Sequence, residues 1–262
     1  MADELKQTLV AGLESSPKYI PFSYEYDEVG SRLQKDNNDF NDGYYLTASE
    51  TWILQHNVQD IIPDAPNDLT LVDLCSGDCS KTRFVIDDLI KRQSTLTFYP
   101  LDISGEFLLK AATKLKNEYG DSLKIHPIVS DYKEGIEQLR QIKGTKLILW
   151  IGTIFNLSYE DQISTLRLIS TIMTDQCRLA FSADITLSRD AVLKAYNDDG
   201  AGLGIDLAMK KGEHLYLHEG VGLSCKYTLE QLQTIVEKAG LRLAGTLIDN
   251  KKHAVFCQCV TK

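Results

Sequence analysis

The sequence predicts an α/β protein with a doubly wound, mostly parallel sheet, and three observations support this prediction. An apolar run at 69–74 ends in small residues and continues into a helix-like pattern, which is the strand–turn–helix opening of such a domain. From residue 69 onward, strand-like and helix-like segments alternate along the chain. The last two strand-like segments are joined by a short turn around 249–252, which predicts an antiparallel hairpin.

The individual elements of this domain can be assigned from hydrophobic periodicity. The predicted strands are 69–74, 96–101, 124–129, 145–151, 178–184, 241–248 and 253–260. The predicted helices are 80–92, 104–119, 133–142, 159–175, 188–196 and 228–239. Helices of this length between strands imply βαβ crossovers, and the closing hairpin requires one strand to run antiparallel to its neighbours.

The N-terminal quarter of the chain has a different pattern. Residues 1–68 lack a clear strand signal and combine a helix-like start at 3–13 with renewed helical periodicity at 47–62. We therefore expect a helical cover at 1–68. The remaining region, 69–262, is expected to be the α/β domain, with a short loop at about 197–223.

Composition excludes several classes of function. The chain has 262 residues, of which 43% are hydrophobic and 25% are charged, as in ordinary soluble globular proteins. A net charge of −9 without a basic stripe argues against nucleic acid as the partner. The sequence shows neither a secretory h-region nor an apolar run of spanning length, so no membrane partner and a cytoplasmic location are expected.

The six cysteines are predicted to be reduced structural thiols. Their spacing is poor for zinc, because the close pairs are separated by three residues or by one, with no adjacent histidine pair. We therefore expect no metal site. The cysteines are Cys75, Cys79, Cys177, Cys225, Cys257 and Cys259.

The first turn of the domain indicates which cofactor it binds. This turn holds a single glycine, Gly77, and is followed by the carboxylate of Asp78, where a dinucleotide would place its pyrophosphate. Like charges at that point cost on the order of 1 kcal/mol. S-adenosylmethionine carries a sulfonium cation and no phosphate, so it tolerates an acidic turn and is the expected cofactor.

Two further strand ends fit the same cofactor. Asp102 closes the second strand of the domain, where a carboxylate is suitably placed to bind a ribose diol. Asp131 and Tyr132 follow the third strand, where the carboxylate can accept the adenine amino group and the aromatic ring can stack on the base. Since the carboxyl ends of parallel strands share one edge of the sheet, these residues and Gly77 are expected to face one crevice.

A series of short motifs extends along almost the whole chain, and together they indicate a family. They are Pro17-Lys18-Tyr19-Ile20-Pro21, Tyr24-Glu25-Tyr26-Asp27, Tyr44-Tyr45-Leu46-Thr47 with Glu50, Ser76-Gly77 with Ser80-Lys81-Thr82-Arg83, Leu101-Asp102-Ile103-Ser104, Asp131-Tyr132, Gly152-Thr153-Ile154-Phe155-Asn156-Leu157, Ala195-Tyr196-Asn197-Asp198, and Ser224 with Lys226-Tyr227. In these motifs the chain resembles the ergothioneine-pathway histidine N-methyltransferases, a family that includes dimethylallyltryptophan N-methyltransferases. A seven-stranded sheet with a late antiparallel hairpin is likewise the usual shape of class I SAM-dependent methyltransferases.

The resemblance implies methylation, from S-adenosylmethionine, of the α-amino group of an aromatic or heteroaromatic amino acid. It also implies that 69–262 is a SAM-binding methyltransferase domain with a short substrate loop at about 197–223, and that the cover at 1–68 contributes to the substrate site. The implied cofactor-binding residues are Cys75, Ser76, Gly77, Lys81, Asp102, Ile103, Asp131, Tyr132, Gly152 and Thr153. Lys81 and the turn at 75–77 would hold the methionine end of the cofactor. The implied catalytic residues are Tyr44, Asn156 and Tyr196, which would also bind the substrate together with Tyr26 and Ser224.

The chain also departs from the family pattern. Only residues 199–223 separate the two last motifs, where family members have several dozen residues of a substrate-recognition module. Gly222 stands where the family has a substrate-reading glutamate, and Glu219 is the nearest replacement. We therefore expect the acceptor to be an amino acid or a derived metabolite other than histidine.

Two rival interpretations remain open from the sequence. The first is a non-catalytic SAM-binding partner protein that retains the fold, which the shortened module favours. The second is a nicotinamide-dependent oxidoreductase. The sequence leaves the oligomeric state open, including a homodimer.

Overall fold

A computed structural model describes residues 2–16, 18–20, 30, 44–63, 68–196, 215–216 and 224–262; of residues 2–5, Tyr196 and residues 215–216 only the backbone is described. In chain order the elements are α1 (Ala2–Glu14), β1 (Lys18–Tyr19), α2 (Tyr45–Ile61), β2 (Thr70–Leu74), α3 (Thr82–Arg92), β3 (Leu96–Asp102), α4 (Gly105–Tyr119), β4 (Leu123–Ile125), β5 (Ile128–Val129), α5 (Tyr132–Leu139), β6 (Lys146–Trp150), α6 (Tyr159–Ser170), β7 (Arg178–Asp184), α7 (Arg189–Tyr196), β8 (Leu215–Tyr216), α8 (Leu229–Lys238), β9 (Leu241–Ile248) and β10 (Ala254–Thr261). Short 3₁₀ helices occupy Gly120–Ser122 and Ile154–Asn156.

The main sheet confirms the predicted doubly wound class. Its strand order is β4-β3-β2-β6-β7-β10-β9, and β5 extends β4 beside β3. The pairs β2–β3, β2–β6, β3–β4 and β6–β7 are parallel, whereas β10 is antiparallel to both β7 and β9. The central strand β6 is buried along its whole length, as expected for a parallel strand covered on both faces.

One predicted strand is divided in the structure. The segment expected at 124–129 forms β4 and β5, and Pro127 lies between them. Proline has no backbone N–H and cannot donate to the ladder, so pairing with β3 stops and resumes on either side of it. The neighbouring His126 N–H donates to the Phe98 carbonyl at 2.8 Å and holds the interruption close to β3.

The closing hairpin is stabilised at its turn by one carboxylate. Asp249 is buried and accepts hydrogen bonds from the backbone N–H groups of Lys251, His253 and Ala254 at 2.7 to 2.9 Å. These bonds satisfy donors that a tight turn would otherwise leave without partners. The hairpin thereby presents β10 to β7 in a fixed register.

The N-terminal part contains helices, as predicted. Helix α2 packs on the sheet domain through buried Leu46, Ile53 and Leu54, and it contacts α3, β7 and β10. Strand β1 pairs in parallel with β8, which joins the N-terminal part to the loop predicted at 197–223. The division of the chain at residue 68 into cover and domain stays a prediction. Among the described residues, no helix is both long and apolar enough to cross a membrane.

Candidate functional site

The fold defines a crevice between β2 and β6. From β2, the chain continues to β3 on one side, whereas β6 joins the sheet on the other side, so the winding direction changes at this point. Ligands of open α/β sheets bind at such a switch point, outside the carboxyl ends of the strands. The predicted cofactor residues follow β2, β3, β5 and β6 at this edge of the sheet.

The turn after β2 is stabilised through the adjacent strand β3. The Ser76 hydroxyl donates to the Asp73 carbonyl at 2.7 Å and accepts from the Leu101 N–H at 3.0 Å. Gly77 has a φ of 54°, a left-handed conformation that glycine adopts without strain. Burial raises the pKa of the Cys75 thiol to about 12, so this side chain remains neutral at pH 7.

Asp102 connects the turn to the end of β3. Its Oδ2 accepts from the Gly77 N–H at 2.8 Å and its Oδ1 accepts from the Ser104 N–H at 2.9 Å. Each carboxylate oxygen keeps a further lone pair, so this side chain can still accept both hydroxyls of a ribose diol. Burial raises the pKa of Asp102, with the backbone donors of Ser104 and Gly77 opposing the shift.

A second buried carboxylate lies below this turn. Asp73 is 3% exposed and accepts a hydrogen bond from the Thr82 hydroxyl. Burial, and less strongly the charge of Asp102, raises its pKa to about 7. Ionised carboxylates beside this turn attract a cation and repel an anion, which agrees with a sulfonium cofactor and disagrees with a pyrophosphate.

The third strand end is held by Asp131, the N-cap of α5. Its Oδ1 accepts from the N–H groups of Lys133 and Glu134 at 2.8 and 3.2 Å. The Ser130 N–H donates to the Asp102 carbonyl at 3.1 Å, which brings the ends of β3 and β5 together. Tyr132 is half-buried with its ring 6.4 Å from that of Trp150, and burial raises the pKa of its hydroxyl.

Lys81 belongs to a charged group that we call the cofactor-side network, formed by Glu50, Lys81, Gly152 and Ser182. The Lys81 ammonium pairs with Glu50 Oε2, and the Ser182 hydroxyl donates to Glu50 Oε1 at 2.5 Å. Ser182 in turn accepts from the Gly152 N–H at 2.8 Å. The network therefore joins α2, the start of α3 and the carboxyl ends of β6 and β7.

A second group, the acceptor-side network, consists of Tyr45, Asp184, Thr186 and Lys226. Asp184 ends β7 with 1% exposure and accepts from the Tyr45 hydroxyl at 2.7 Å, the Lys226 ammonium at 2.9 Å and the Thr186 N–H at 2.9 Å. The Tyr45 ring also lies 4.9 Å from that of His253. This carboxylate thereby connects α2, β7 and the segment that begins at residue 224.

Three of the residues predicted to bind the methyl acceptor lie on this side of the crevice. Tyr44 immediately precedes α2 and stacks on Tyr45 with ring centroids 6.2 Å apart. Asn156 ends the 3₁₀ helix after β6, and its neighbour Phe155 accepts from the Cys225 N–H at 2.8 Å. Ser224 precedes that cysteine and accepts from the Lys226 ammonium at 2.8 Å.

The other residues predicted to bind the methyl acceptor are less completely described. Tyr196 ends α7, and only its backbone is described. Tyr26, Glu219 and Gly222 lie outside the described residues. Sequence reasoning assigned no role to Glu50, Ser182 or Asp184. Asp184 carries the same signal as Asp102, a carboxylate that ends an apolar strand, and could have been found in that way. Within the described residues, no cluster of three or more side chains is suited to hold a metal ion.

This sheet order and acidic crevice define a class I SAM-dependent methyltransferase fold. A family model described as "Histidine-specific methyltransferase, SAM-dependent" matches residues 5–205, and the chain belongs to that family. The predicted family, fold class and S-adenosylmethionine cofactor are confirmed. Family membership also decides against the nicotinamide-dependent oxidoreductase.

Two relatives have names that give different substrates. The chain is 29% identical to the histidine N-alpha-methyltransferase of Mycobacterium tuberculosis (strain CDC 1551 / Oshkosh), over 75% of this chain and 60% of that protein. It is 24% identical to the 4-dimethylallyltryptophan N-methyltransferase of Penicillium roqueforti (strain FM164), over 76% of this chain and 61% of that protein. The chain thus spans about six tenths of the length of these relatives.

A solved structure supports the fold alone. The magnesium protoporphyrin IX methyltransferase of Synechocystis PCC 6803 with bound SAM superposes with a TM-score of 0.56 at 12% identity. The alignment covers 92% of this chain and 94% of that protein. Nearly the whole chain is therefore accommodated in a methyltransferase fold.

Proposed function

We propose that this chain is a SAM-dependent N-methyltransferase whose acceptor is the amino group of an amino acid or of a derived metabolite other than histidine. The observation that carries the proposal is the acidic crevice at the β2–β6 switch point in a chain of this family. Asp73, Gly77 and Asp102 suit an adenosine-containing cation, and their arrangement leaves the Asp102 oxygens able to accept further hydrogen bonds.

The roles we propose in cofactor binding follow the strand ends. The turn at 75–77, Lys81, Gly152 and Thr153 would bind the methionine end of the cofactor. Asp102 and Ile103 would bind the ribose, and Asp131 with Tyr132 the adenine. When bound, S-adenosylmethionine supplies a methyl group already activated by the positive sulfur, so the protein has no need to polarise it.

The remaining task of the chain is to orient the acceptor. A methyl transfer requires the nucleophile on the axis of the bond that breaks, at about 3 Å from the methyl carbon, with water excluded. We propose that Tyr44, Asn156, Tyr196, Tyr26 and Ser224 hold the amino-acid head of the acceptor. The amine must react in its deprotonated form, because the ammonium ion has no lone pair.

The exclusion of histidine rests on the shortened loop. In the histidine N-methyltransferases that this chain resembles, a glutamate binds the imidazole of the substrate. Gly222 stands at that position in this chain. Without that carboxylate, the N–H groups of an imidazole lose their acceptor, which costs affinity for histidine. The named tryptophan-derived substrate of a relative gives a second acceptor class for the test.

The proposal extends to partners and location. We expect a small-molecule acceptor, and neither nucleic acid nor a membrane. We also propose a cytoplasmic location, and the six free thiols support it, because disulfides form mainly in oxidising compartments.

The test has two steps. Isothermal titration calorimetry with S-adenosylhomocysteine first measures cofactor binding. Methyl-labelled S-adenosylmethionine is then incubated with the protein and with histidine, tryptophan, 4-dimethylallyltryptophan or a cell extract, and mass spectrometry identifies the product. We expect cofactor binding and a methylated product other than methylated histidine.

Each failure has a distinct meaning. Absence of S-adenosylhomocysteine binding would overturn the assigned cofactor site. Binding without any methylated product would favour the non-catalytic SAM-binding partner, which the short loop at 199–223 supports. Methylated histidine as the main product would contradict the proposed substrate class.

A further inference from the structure

Glu50 is a buried carboxylate for which the proposed reaction has so far given no role. It lies on α2 with 1% of its surface exposed, and both of its oxygens accept hydrogen bonds, one from Lys81 and one from Ser182. Burying a carboxylate is costly unless it is paired, so its position in this network demands a specific partner.

Lys81 needs that partner as much as Glu50 does. Lys81 occupies the N-cap position of α3, where the positive end of the helix dipole disfavours a cation. Its side chain keeps 26% exposure, so its ammonium is held at the edge of the crevice rather than enclosed. Glu50 offsets the unfavourable location and restricts a side chain that otherwise has many rotamers.

The direction in which Lys81 is held can be read from Gly152. A Cβ atom built on Gly152 would lie 3.6 Å from the Lys81 ammonium and 4.0 Å from Glu50 Oε1. The ion pair therefore lies against the backbone of a residue predicted to bind the cofactor. Ser182 fixes this relation from the other side, because it bonds both Glu50 and the Gly152 N–H.

We propose that Glu50 is a positioning residue that directs the Lys81 ammonium toward the carboxylate of the cofactor's methionine end. This inference rests on the proposed function, since it assumes that Lys81 binds that carboxylate. It adds that α2, in the N-terminal part of the chain, is needed to complete the cofactor site. Cofactor affinity and the packing of α2 are then linked through one ion pair.

Two ligands isolate the effect. S-adenosylhomocysteine carries the amino-acid end, whereas 5′-deoxy-5′-methylthioadenosine carries the same nucleoside without it. In the Glu50→Gln variant, which keeps the size and the Ser182 hydrogen bond, we expect S-adenosylhomocysteine to bind about tenfold more weakly. We expect methylthioadenosine to bind within about threefold of the parent protein.

Two controls accompany this variant. Glu118→Gln makes the same chemical change at a carboxylate that pairs with Arg83 on the surface, and it should alter neither affinity. Lys81→Met should weaken S-adenosylhomocysteine selectively as well. Because Glu50 acts through Lys81, Glu50→Gln should add less than about twofold in the Lys81→Met background.

The outcomes are decisive in each direction. Unchanged or tighter S-adenosylhomocysteine binding by Glu50→Gln overturns the proposal, because Glu50 would then merely neutralise Lys81. Equal weakening of both ligands also overturns it and assigns Glu50 a structural role, which thermal melting of the free variant would detect. If the parent protein binds neither ligand, the proposed function fails instead.

Discussion

Two carboxylates that end different strands of the main sheet are held in contrasting ways. Asp102, at the end of β3, is fixed by the backbone N–H groups of Gly77 and Ser104. Asp184, at the end of β7, is fixed largely by the side chains of Tyr45 and Lys226, which come from distant parts of the chain. A site built on backbone donors needs only adjacent strand ends, whereas a site built on side chains needs the whole fold.

The two regions also differ in electrostatic balance. On the cofactor side, burial raises the pKa values of both Asp73 and Asp102, so the charged form of these groups is disfavoured there. On the acceptor side, Asp184 already forms an ion pair with Lys226. The difference teaches that burial alone acts on the carboxyl groups of the first region, whereas an ion pair between distant chain segments holds the carboxylate of the second.

The largest expected effect is a pH dependence that originates in Asp73. Its pKa of about 7 in the folded protein lies above its ordinary value of 3.8, so the folded state binds the proton more tightly than the unfolded state. The free energy of unfolding should therefore fall as pH rises from about 4 to 7, by on the order of 4 kcal/mol at about 1.4 kcal/mol per pKa unit.

Asp73→Asn should remove this dependence and be the more stable protein at pH 8, with little difference at pH 4. Urea denaturation at both pH values checks the expectation. Asp175→Asn makes the same chemical change at an exposed position and is the control with which the slopes are compared. Parallel slopes for Asp73→Asn and the parent would show that the cofactor side carries no such charge penalty.

The second prediction is that a change on the acceptor side lowers stability and leaves cofactor binding nearly unchanged. Asp184→Ala leaves Lys226 and the Tyr45 hydroxyl without their shared acceptor. Loss of one partner of a buried pair costs about 3 kcal/mol at the lower end of the usual range, which suits a lysine that is a quarter exposed.

Urea denaturation measures this loss, and titration with S-adenosylhomocysteine should give an affinity within about threefold of the parent value. Asp190→Ala, at an exposed position on α7, is the matched control. A large loss of cofactor affinity without a loss of stability would reverse the roles assigned to the two regions.

The third prediction concerns Asp102, the carboxylate on the cofactor side. Asp102→Ala should weaken S-adenosylhomocysteine binding by about 100-fold, because the hydrogen bonds proposed between the ribose and Asp102 are lost along with the support of Gly77. Calorimetry measures the affinity, and Glu106→Ala on the exposed start of α4 serves as the control. A change below about threefold would remove Asp102 from the ribose site.

The smallest expected effect measures the coupling between Tyr45 and Asp184 on the acceptor side. Tyr45→Phe removes one hydroxyl that donates to Asp184 and should cost about 1 kcal/mol of the free energy of unfolding. In the Asp184→Ala background the same change should cost less than about 0.5 kcal/mol, because the acceptor is already gone. Additive losses in this cycle, measured by urea denaturation, would show that the two side chains are not coupled.

The cofactor side was the more predictable region. Its turn, its three strand ends and the alternating elements are encoded in consecutive segments, and hydrophobic periodicity gives them directly. The main error in the strands was at 124–129, where Pro127 interrupts a run that otherwise reads as continuous. The roles of the predicted site residues stay predictions.

The acceptor side could not be assembled in this way. Tyr45, Asp184 and Lys226 are separated by long stretches of chain, and nothing in their local patterns pairs them. The same is true of Glu50 and Lys81, and of the pairing between β1 and β8.

The sequence by itself determined the α/β class, the order of elements and the acidic turn after the first strand of the domain, because these follow from patterns within short segments. Only the tertiary structure decided which buried carboxylate meets which lysine. Such a pair forms only after the strand order brings distant residues within hydrogen-bonding distance. Local sequence patterns do not specify which distant residues meet in this way.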